Sequence, residues 1–208
     1  MNIILKISIT LTIALLTVTV QAQKLYTGIG AGAHMTTATY FDTSRNKKAT
    51  SARPGGRLFF MGKINLEGKI SFTPEVSYTM KGFRVKNPQA GIAEQEIILH
   101  YFEFMFLQEY SFTDQLYAKI GPSVGGAIIG RDKQLSTSNV RSNKPLAINF
   151  GEWGRFEAAV NIGVGLRFGN GFIAEARVAK SINSIYDGDE GPKVKNILFG
   201  INVGKYLR

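Results

Sequence analysis

The chain has 208 residues, and 25 Lys and Arg against 15 Asp and Glu give it a formal charge of +10. It has no cysteine, which excludes disulfide bonds, thiolate metal sites and a lipid-modified N-terminal cysteine. The basic residues concentrate in two polar segments, near 45–53 and 131–144, and otherwise stand singly between apolar residues. Because they form no continuous stripe, we expect no nucleic-acid partner.

Residues 1–22 are typical of a secretory signal peptide. A single Lys6 precedes an apolar run over 7–20, and the small residue Ala22 stands just before a plausible cleavage site. An uncleaved anchor is the alternative, but the apolar run is short for a membrane span. We therefore expect a cleaved signal peptide and an exported barrel domain at 23–208, with a net charge of +9 once Lys6 is removed from the total of +10.

Side chains of alternating polarity run through most of the exported domain, which is the period of a β-strand and not of a helix. The strands are joined alternately by short turns and by long polar segments, so the long loops lie at one end of the strands. This is the layout of a bacterial outer-membrane barrel, and it predicts an all-β fold, an eight-stranded antiparallel up-and-down transmembrane β-barrel. The predicted strands lie near 24–36, 56–66, 69–82, 96–110, 115–129, 154–168, 171–183 and 195–207. The predicted long loops are 39–55, 83–95, 130–153 and 184–194.

The stretch Gly163-x-Gly165-x-x-x-Gly169 looks like a phosphate-binding glycine pattern. A dinucleotide site needs a helix that opens on the last glycine, but here Asn170-Gly171 follows, a dipeptide typical of a tight type I′ hairpin. The residues on both sides of this dipeptide alternate in polarity. We therefore assign the glycines to the polar face of a β-hairpin and expect no nucleotide.

The two faces of the predicted strands differ in composition. One face is apolar, with residues such as Phe102, Phe104, Val160 and Ile162, and the other combines glycines with large charged and aromatic side chains. In a narrow lumen such glycines make room for large neighbours, so we expect the apolar face to contact lipid, with a soluble secreted barrel as the alternative. Aromatic residues near the strand ends are expected at the membrane boundaries, namely Trp153, Phe156, Phe168 and Phe172. The inward glycines are Gly28, Gly30, Gly32, Gly121, Gly125, Gly163, Gly165, Gly200 and Gly204.

Acidic and basic residues share the inward face. Opposite charges in a confined lumen should pair, because an unpaired buried charge is costly. We interpret them as a polar plug that fixes strand register, with a gated ion path as the alternative, and we name Glu157 as the first candidate partner of Arg177. The predicted lumen charge network comprises Arg57, Lys63, Glu75, Glu103, Lys119, Glu157, Arg167, Glu175 and Arg177, with Lys81, Glu109 and Arg155 on the same face.

Other candidate chemistry is weak. His34 and His100 are the two histidines, and neither stands in a pattern with a serine nucleophile, so we expect no catalytic residue. The acidic segment 187–191 lacks the spaced carboxylates of a calcium loop, so we expect no metal site. The basic segments 45–53 and 131–144 could contact lipopolysaccharide phosphates, with a flexible solvated loop as the alternative.

Several motifs carry a family resemblance: FTPEVSYTMKG at 72–82, LHYFEFMFL at 99–107, LYAKIGPSVG at 116–125, and the opening hairpin. They resemble the PorT-like outer-membrane β-barrel family, common in Bacteroidota, over nearly the whole exported domain. The chain departs from that family at Met105, where proline is usual, and at 205–208, where a terminal aromatic usually addresses the barrel-insertion machinery. The resemblance implies the fold, an outer-membrane location and that machinery as a partner, and one branch of the family assists protein secretion.

The expected role is therefore structural or one of surface interaction, without catalysis and without a cofactor, and the protein partner is unknown. The alternatives are a component that assists protein secretion, a narrow porin-like channel and, last, a lipid A-modifying enzyme. Eight strands enclose too little space for a general diffusion pore.

Overall fold

The computed structural model describes residues 25–86, 94–135, 140–146, 156–185 and 193–207. The predicted signal peptide, the acidic segment 187–191, Trp153 and Arg155 lie outside these residues. The described part is all β, with eight long strands and two short ones. The strands are β1 Leu25–Phe41, β2 Lys47–Lys48, β3 Thr50–Asn65, β4 Ile70–Val85, β5 Glu94–Ser111, β6 Leu116–Leu135, β7 Val140–Leu146, β8 Phe156–Arg167, β9 Phe172–Ser181 and β10 Lys193–Leu207.

The eight long strands form one closed antiparallel ring. Its order is β1, β3, β4, β5, β6, β8, β9 and β10, and β10 pairs with β1 to complete it. The short strands β2 and β7 pair with the ends of β1 and β6 and are not part of this ring. The prediction of an eight-stranded up-and-down barrel is therefore confirmed.

Closure of the ring shifts the strands along one another. Successive paired residues starting from Met35 lead back to Leu25 on the same strand, a shift of 35 − 25 = 10 residues. Ten residues of about 3.3 Å each against eight strands of about 4.8 Å each give a strand tilt of about 40°. The path runs through Met35, Phe199, Val178, Ile162, Ile120, Gln108, Phe72, Ile64 and Leu25.

The strands extend further at the end with the long connections, called the loop side here, than alternation predicts. The predicted loops 39–55 and 130–153 are wrong in part, because β1 continues to Phe41, β6 continues to Leu135, and β2 and β7 pair with these extensions. In β6 the run from Arg131 to Gln134 places polar residues on both faces, which hides the alternation there although the backbone still pairs. The opposite end, the turn side, has the short turns that were predicted.

The hairpin between β8 and β9 is confirmed, but its predicted type I′ turn is wrong. The Gly171 N–H donates to the carbonyl of Phe168 at 2.9 Å, and the Phe168 N–H donates to the carbonyl of Phe172 at 2.8 Å. Gly171 has φ of 84°, whereas Asn170 does not have the positive φ that a type I′ turn requires. Four residues, Phe168 to Gly171, connect the strands, and Gly171 supplies the single left-handed position.

Apolar side chains cover the outer face of the ring as predicted. Phe102, Phe104 and Ile162 are 44%, 46% and 54% exposed, and Phe156, Phe168 and Phe172 are exposed near the strand ends. On β1 the outward apolar residues run from Leu25 to Met35. Ten residues at this tilt cover about 25 Å, the height of the lipid-facing band of an outer-membrane barrel.

Candidate functional site

The lumen is the candidate site, because charged side chains fill it in three successive clusters. The central cluster comprises Arg57, Glu75, Lys119, Glu175 and Arg177. The turn-side cluster comprises Lys63, Glu109 and Arg167. The loop-side cluster comprises Lys81, Glu103 and Glu157.

Arg177 organises the central cluster. Its Nη1 and Nη2 donate to the two carboxylate oxygens of Glu75, both at 2.8 Å, and its Nε donates to Glu175 at 2.6 Å. Arg57 Nη2 reaches Glu75 at 3.0 Å, and Lys119 Nζ lies 3.4 Å from Glu75 and 3.3 Å from Glu175. All five side chains are buried from bulk solvent, and each carboxylate contacts at least two cations.

The pair between Arg177 and Glu75 spans the whole lumen. Arg177 is on β9 and Glu75 on β4, which are four strands apart in a ring of eight and therefore on opposite walls. The sulfur of Met105 lies beside this pair, 3.1 Å from Arg177 Nη1. The middle of the lumen is thus occupied by one continuous set of bonded side chains.

The turn-side cluster is centred on the carboxylate of Glu109. Lys63 Nζ lies 2.8 Å from Glu109, and Arg167 forms a short ion pair with the same oxygen. Arg167 also stacks over the ring of Tyr117, with its guanidinium carbon 4.5 Å from the ring centroid. Lys119 lies 3.9 Å from the second oxygen of Glu109, so this cluster adjoins the central one.

The loop-side cluster is centred on Lys81. Its Nζ lies 2.6 Å from Glu103 and 3.1 Å from Glu157. Glu157 also accepts hydrogen bonds from the Ser181 hydroxyl at 2.6 Å and the Asn196 amide at 3.0 Å. Glu157 shares its one cation, Lys81, with Glu103, so neutral donors supply its remaining hydrogen bonds.

Apolar side chains fill the lumen beyond the loop-side cluster. On β4, Phe83 follows Lys81 on the inward face, and on β5, Leu99 and Ile97 continue the inward face from Glu103 toward the loop end. These residues are at most 2% exposed and pack in one cluster, the apolar cap. The apolar cap comprises Ala38, Phe83, Ile97, Leu99, Tyr101, Ala127, Ile185 and Val194.

The inward glycines receive large neighbours. A β-carbon on Gly30 would overlap the ring of Phe59, and one on Gly165 would overlap the ring of Tyr117. The same substitution at Gly125 would come within 2.8 Å of the Glu103 side chain. At these positions glycine makes room for a large side chain and leaves no continuous hole.

The structure places all nine residues of the predicted network on the inward face, but the proposed partner of Arg177 is wrong. Arg177 bonds Glu75 and Glu175, whereas Glu157 belongs to the loop-side cluster. The strand register explains this, because Arg177 pairs with Gly163, and Glu157 lies 163 − 157 = 6 residues further toward the loop side. Sequence reasoning also missed the polar donors Ser181 and Asn196, which carry no charge to mark them, and the apolar cap.

Both histidines have local bonding partners. His34 Nε2 is 2.8 Å from the carbonyl oxygen of Met80, next to a bulge in β3 where pairing with β4 is interrupted. His100 Nδ1 is 2.6 Å from the hydroxyl of Tyr78 on the outer face. Within the described ranges, no group of three or more His, Asp or Glu side chains is arranged to hold a metal ion. A helix long and apolar enough to cross a membrane is likewise not found among these residues.

On the loop side, the first basic segment begins with a compact turn. Asp42 accepts a hydrogen bond from the backbone N–H of Asn46 at 2.8 Å and an ion pair from Lys48 at 3.1 Å. The hydrogen bond from Asn46, supported by Lys48, holds the pKa of Asp42 below its usual range. Arg45 within this turn has φ of 63°. Part of this segment is therefore ordered by local bonds.

Comparison with known proteins identifies a family. Residues 21–187 match the family model for an outer membrane protein beta-barrel domain. No curated protein matches the chain.

Similar solved structures include Ail of Yersinia pestis in complex with the heparin analogue sucrose octasulfate, at 13% identity over 88% of this chain and 99% of that one, with a TM-score of 0.48. Neisserial surface protein A is 12% identical over 87% and 97% of the two chains, with a TM-score of 0.48. OprG of Pseudomonas aeruginosa is 13% identical over 88% and 96%, with a TM-score of 0.43.

Proposed function

The chain belongs to the outer-membrane protein β-barrel family, and from this premise we propose that it is a closed, non-catalytic barrel with a structural or surface-interaction role. The ion pair between Arg177 and Glu75 carries the proposal, because it joins opposite walls in the middle of the lumen. The apolar cap supports it further, since those side chains occupy the loop end of the same passage. An eight-stranded barrel is just wide enough for its own side chains, whereas aqueous porins use 16 to 18 strands.

A non-catalytic role is supported by the bonds that the histidines make. Activation of a serine would need an imidazole nitrogen beside the hydroxyl, with an orienting acid on the other nitrogen. Instead, His34 Nε2 bonds a backbone carbonyl and His100 Nδ1 bonds a phenol. We therefore rank a lipid A-modifying activity last.

Targeting and partners are part of the proposal. We propose that residues 1–22 are a cleaved signal peptide, that the barrel-insertion machinery assembles the chain, and that it belongs to the PorT-like branch of outer-membrane barrels. The motif FTPEVSYTMKG at 72–82 supports the last point. Outer-membrane lipid surrounds the barrel, and the basic segments near 45–53 and 131–144 are the proposed contacts to lipopolysaccharide phosphates. A role in assisting secretion would add a protein partner, which co-purification from outer membranes would reveal.

Electrical recording in a planar bilayer tests the closed lumen. We expect the purified protein to insert without any large, steady conductance, and vesicles that contain it not to swell in small sugars. A 16-stranded porin is the positive control, and a heat-sensitive shift in gel mobility verifies that the inserted protein is folded. Open-channel steps that grow with salt concentration, together with sugar-dependent swelling, would make a transport role the leading interpretation.

A further inference from the structure

The outer face of four neighbouring strands, β3 to β6, changes abruptly from apolar to basic at the loop side. Tyr78, Phe102 and Ile129 are 39%, 44% and 49% exposed and belong to the lipid-facing band. Arg84, Glu96 and Lys133 are paired neighbours across β4, β5 and β6, and they lie three outward positions beyond Tyr78 and Phe102 and two beyond Ile129. The change takes place where the hydrocarbon region gives way to the lipid headgroups.

Arg53 and Arg84 share one carboxylate on this surface. Arg53 Nε lies 2.9 Å from Glu96, and Arg84 Nε lies 3.5 Å from the same oxygen. The side chain of Arg53 crosses the outer face of Gly82, where a β-carbon would meet its Cδ at 3.1 Å. Arg53 is therefore held flat against the sheet, while the side chain of Arg84 is 41% exposed.

Arg131 and Lys133 add two further cations from β6. Arg131 pairs with Ile98 and Lys133 with Glu96 in the strand register, so both point outward beside the Arg53–Glu96 pair. Among the residues that the structure describes, no carboxylate forms an ion pair with Arg131 or Lys133. The four cations of this surface outnumber its two outward carboxylates, Glu96 and the exposed Glu94 at the start of β5, which leaves two positive charges for an external anion.

We propose that this surface, the basic patch of Arg53, Arg84, Arg131 and Lys133, binds the phosphate groups of a lipid in the outer leaflet. The inference rests on the proposed function, because it requires the barrel to lie in the outer membrane with its loops outside. Guanidinium groups bind phosphate through two parallel hydrogen bonds, which a fixed scaffold favours. The apolar band directly below the patch would contact the acyl chains of the same molecule, and this continuity selects a phosphorylated lipid over a free anion.

The test measures lipid retention by the purified full-length barrel in detergent, using native mass spectrometry. The probes are hexa-acylated lipid A with two phosphates and the same lipid with the phosphates removed. We expect the wild type to retain the phosphorylated form preferentially, and the double variant Arg131→Gln, Lys133→Gln to lose at least about tenfold of that retention. Arg84→Gln should weaken it further, and salt should weaken it in the wild type.

The matched control is Lys195→Gln, which removes an exposed outward cation from β10 on another part of the wall. Equal retention of both lipids by the wild type, or an equal loss in the control, overturns the proposal. Displacement of lipid A by millimolar inorganic phosphate overturns the assignment to a lipid. The planar-bilayer recordings of the double variant should match the wild type, so a failure here leaves the closed barrel untouched, whereas protein that fractionates as a soluble species contradicts both.

Discussion

At the scale of single residues, the Glu75 carboxylate contributes more to the stability of the central cluster than any one of the cations that it bonds. Glu75 bonds Arg177 through both oxygens and also contacts Arg57 and Lys119. Without Arg177, two acids and two bases would remain in the cluster, whereas without Glu75 three cations would face Glu175 alone. Burial makes that second arrangement much more costly.

We therefore predict that Glu75→Gln lowers the free energy of unfolding by about 3–5 kcal/mol, and by more than Arg177→Met does. Adding Arg177→Met to Glu75→Gln should recover part of the loss, because it removes one of the three stranded cations. Denaturant unfolding in lipid vesicles measures each value. Additive effects at these two positions contradict the pairing.

A second cycle, between Arg177→Met and Glu157→Gln, is the control. Glu157 lies in the loop-side cluster with Lys81, so its effect should add to that of Arg177 within about 0.5 kcal/mol. Coupling between Arg177 and Glu157 would instead support the pairing that the sequence predicts.

Which acid pairs with which base in the lumen could not be predicted from the sequence. Strand order and alternation predict the inward face, and they bring together neighbours such as Arg57 and Glu75 on β3 and β4. The pair between Arg177 and Glu75 crosses the lumen, so it exists only once the ring closes with a shift of ten residues. No local sequence pattern shows which residues of opposite walls will meet across the lumen.

At the scale of the strands, alternating side-chain polarity predicts a strand only where one face contacts lipid and the other faces the lumen. Over β8 it holds from Phe156 to Arg167, and the structure follows it residue by residue. In the loop-side part of β6, from Arg131 to Gln134, polar residues occupy both faces, so the sequence predicts a loop where the structure has a strand. The run Ile97-Ile98-Leu99 hides the alternation differently, since apolar residues occupy both faces of β5 there.

The outward face of β8 allows a graded prediction. Ile162 lies between Ile120 and Val178, whereas Val160 pairs with Pro122 and with Lys180, whose charge already reaches this level. Ile162→Arg should cost about 2–4 kcal/mol, as for a cation near the middle of the bilayer, and Val160→Arg should cost less. Unfolding in vesicles measures both. Equal stability of Ile162→Arg and wild type would mean that this face does not contact hydrocarbon.

At the scale of the whole molecule, the register of all eight strands together predicts how far they tilt from the barrel axis. The strands shift by ten residues around eight strands, which fixes their tilt at about 40° to the barrel axis. The tilt also sets the height of the apolar band from Leu25 to Met35, so a barrel whose axis follows the membrane normal matches the hydrocarbon thickness of an outer membrane. We expect polarised infrared spectra of oriented bilayers to give a mean strand tilt of about 40°. Protein unfolded by heating in the same lipid is the control and should lose the dichroism. A measured tilt below about 30° would require a smaller shift, and with it a different set of residues facing one another across the lumen, including a new partner for Arg177.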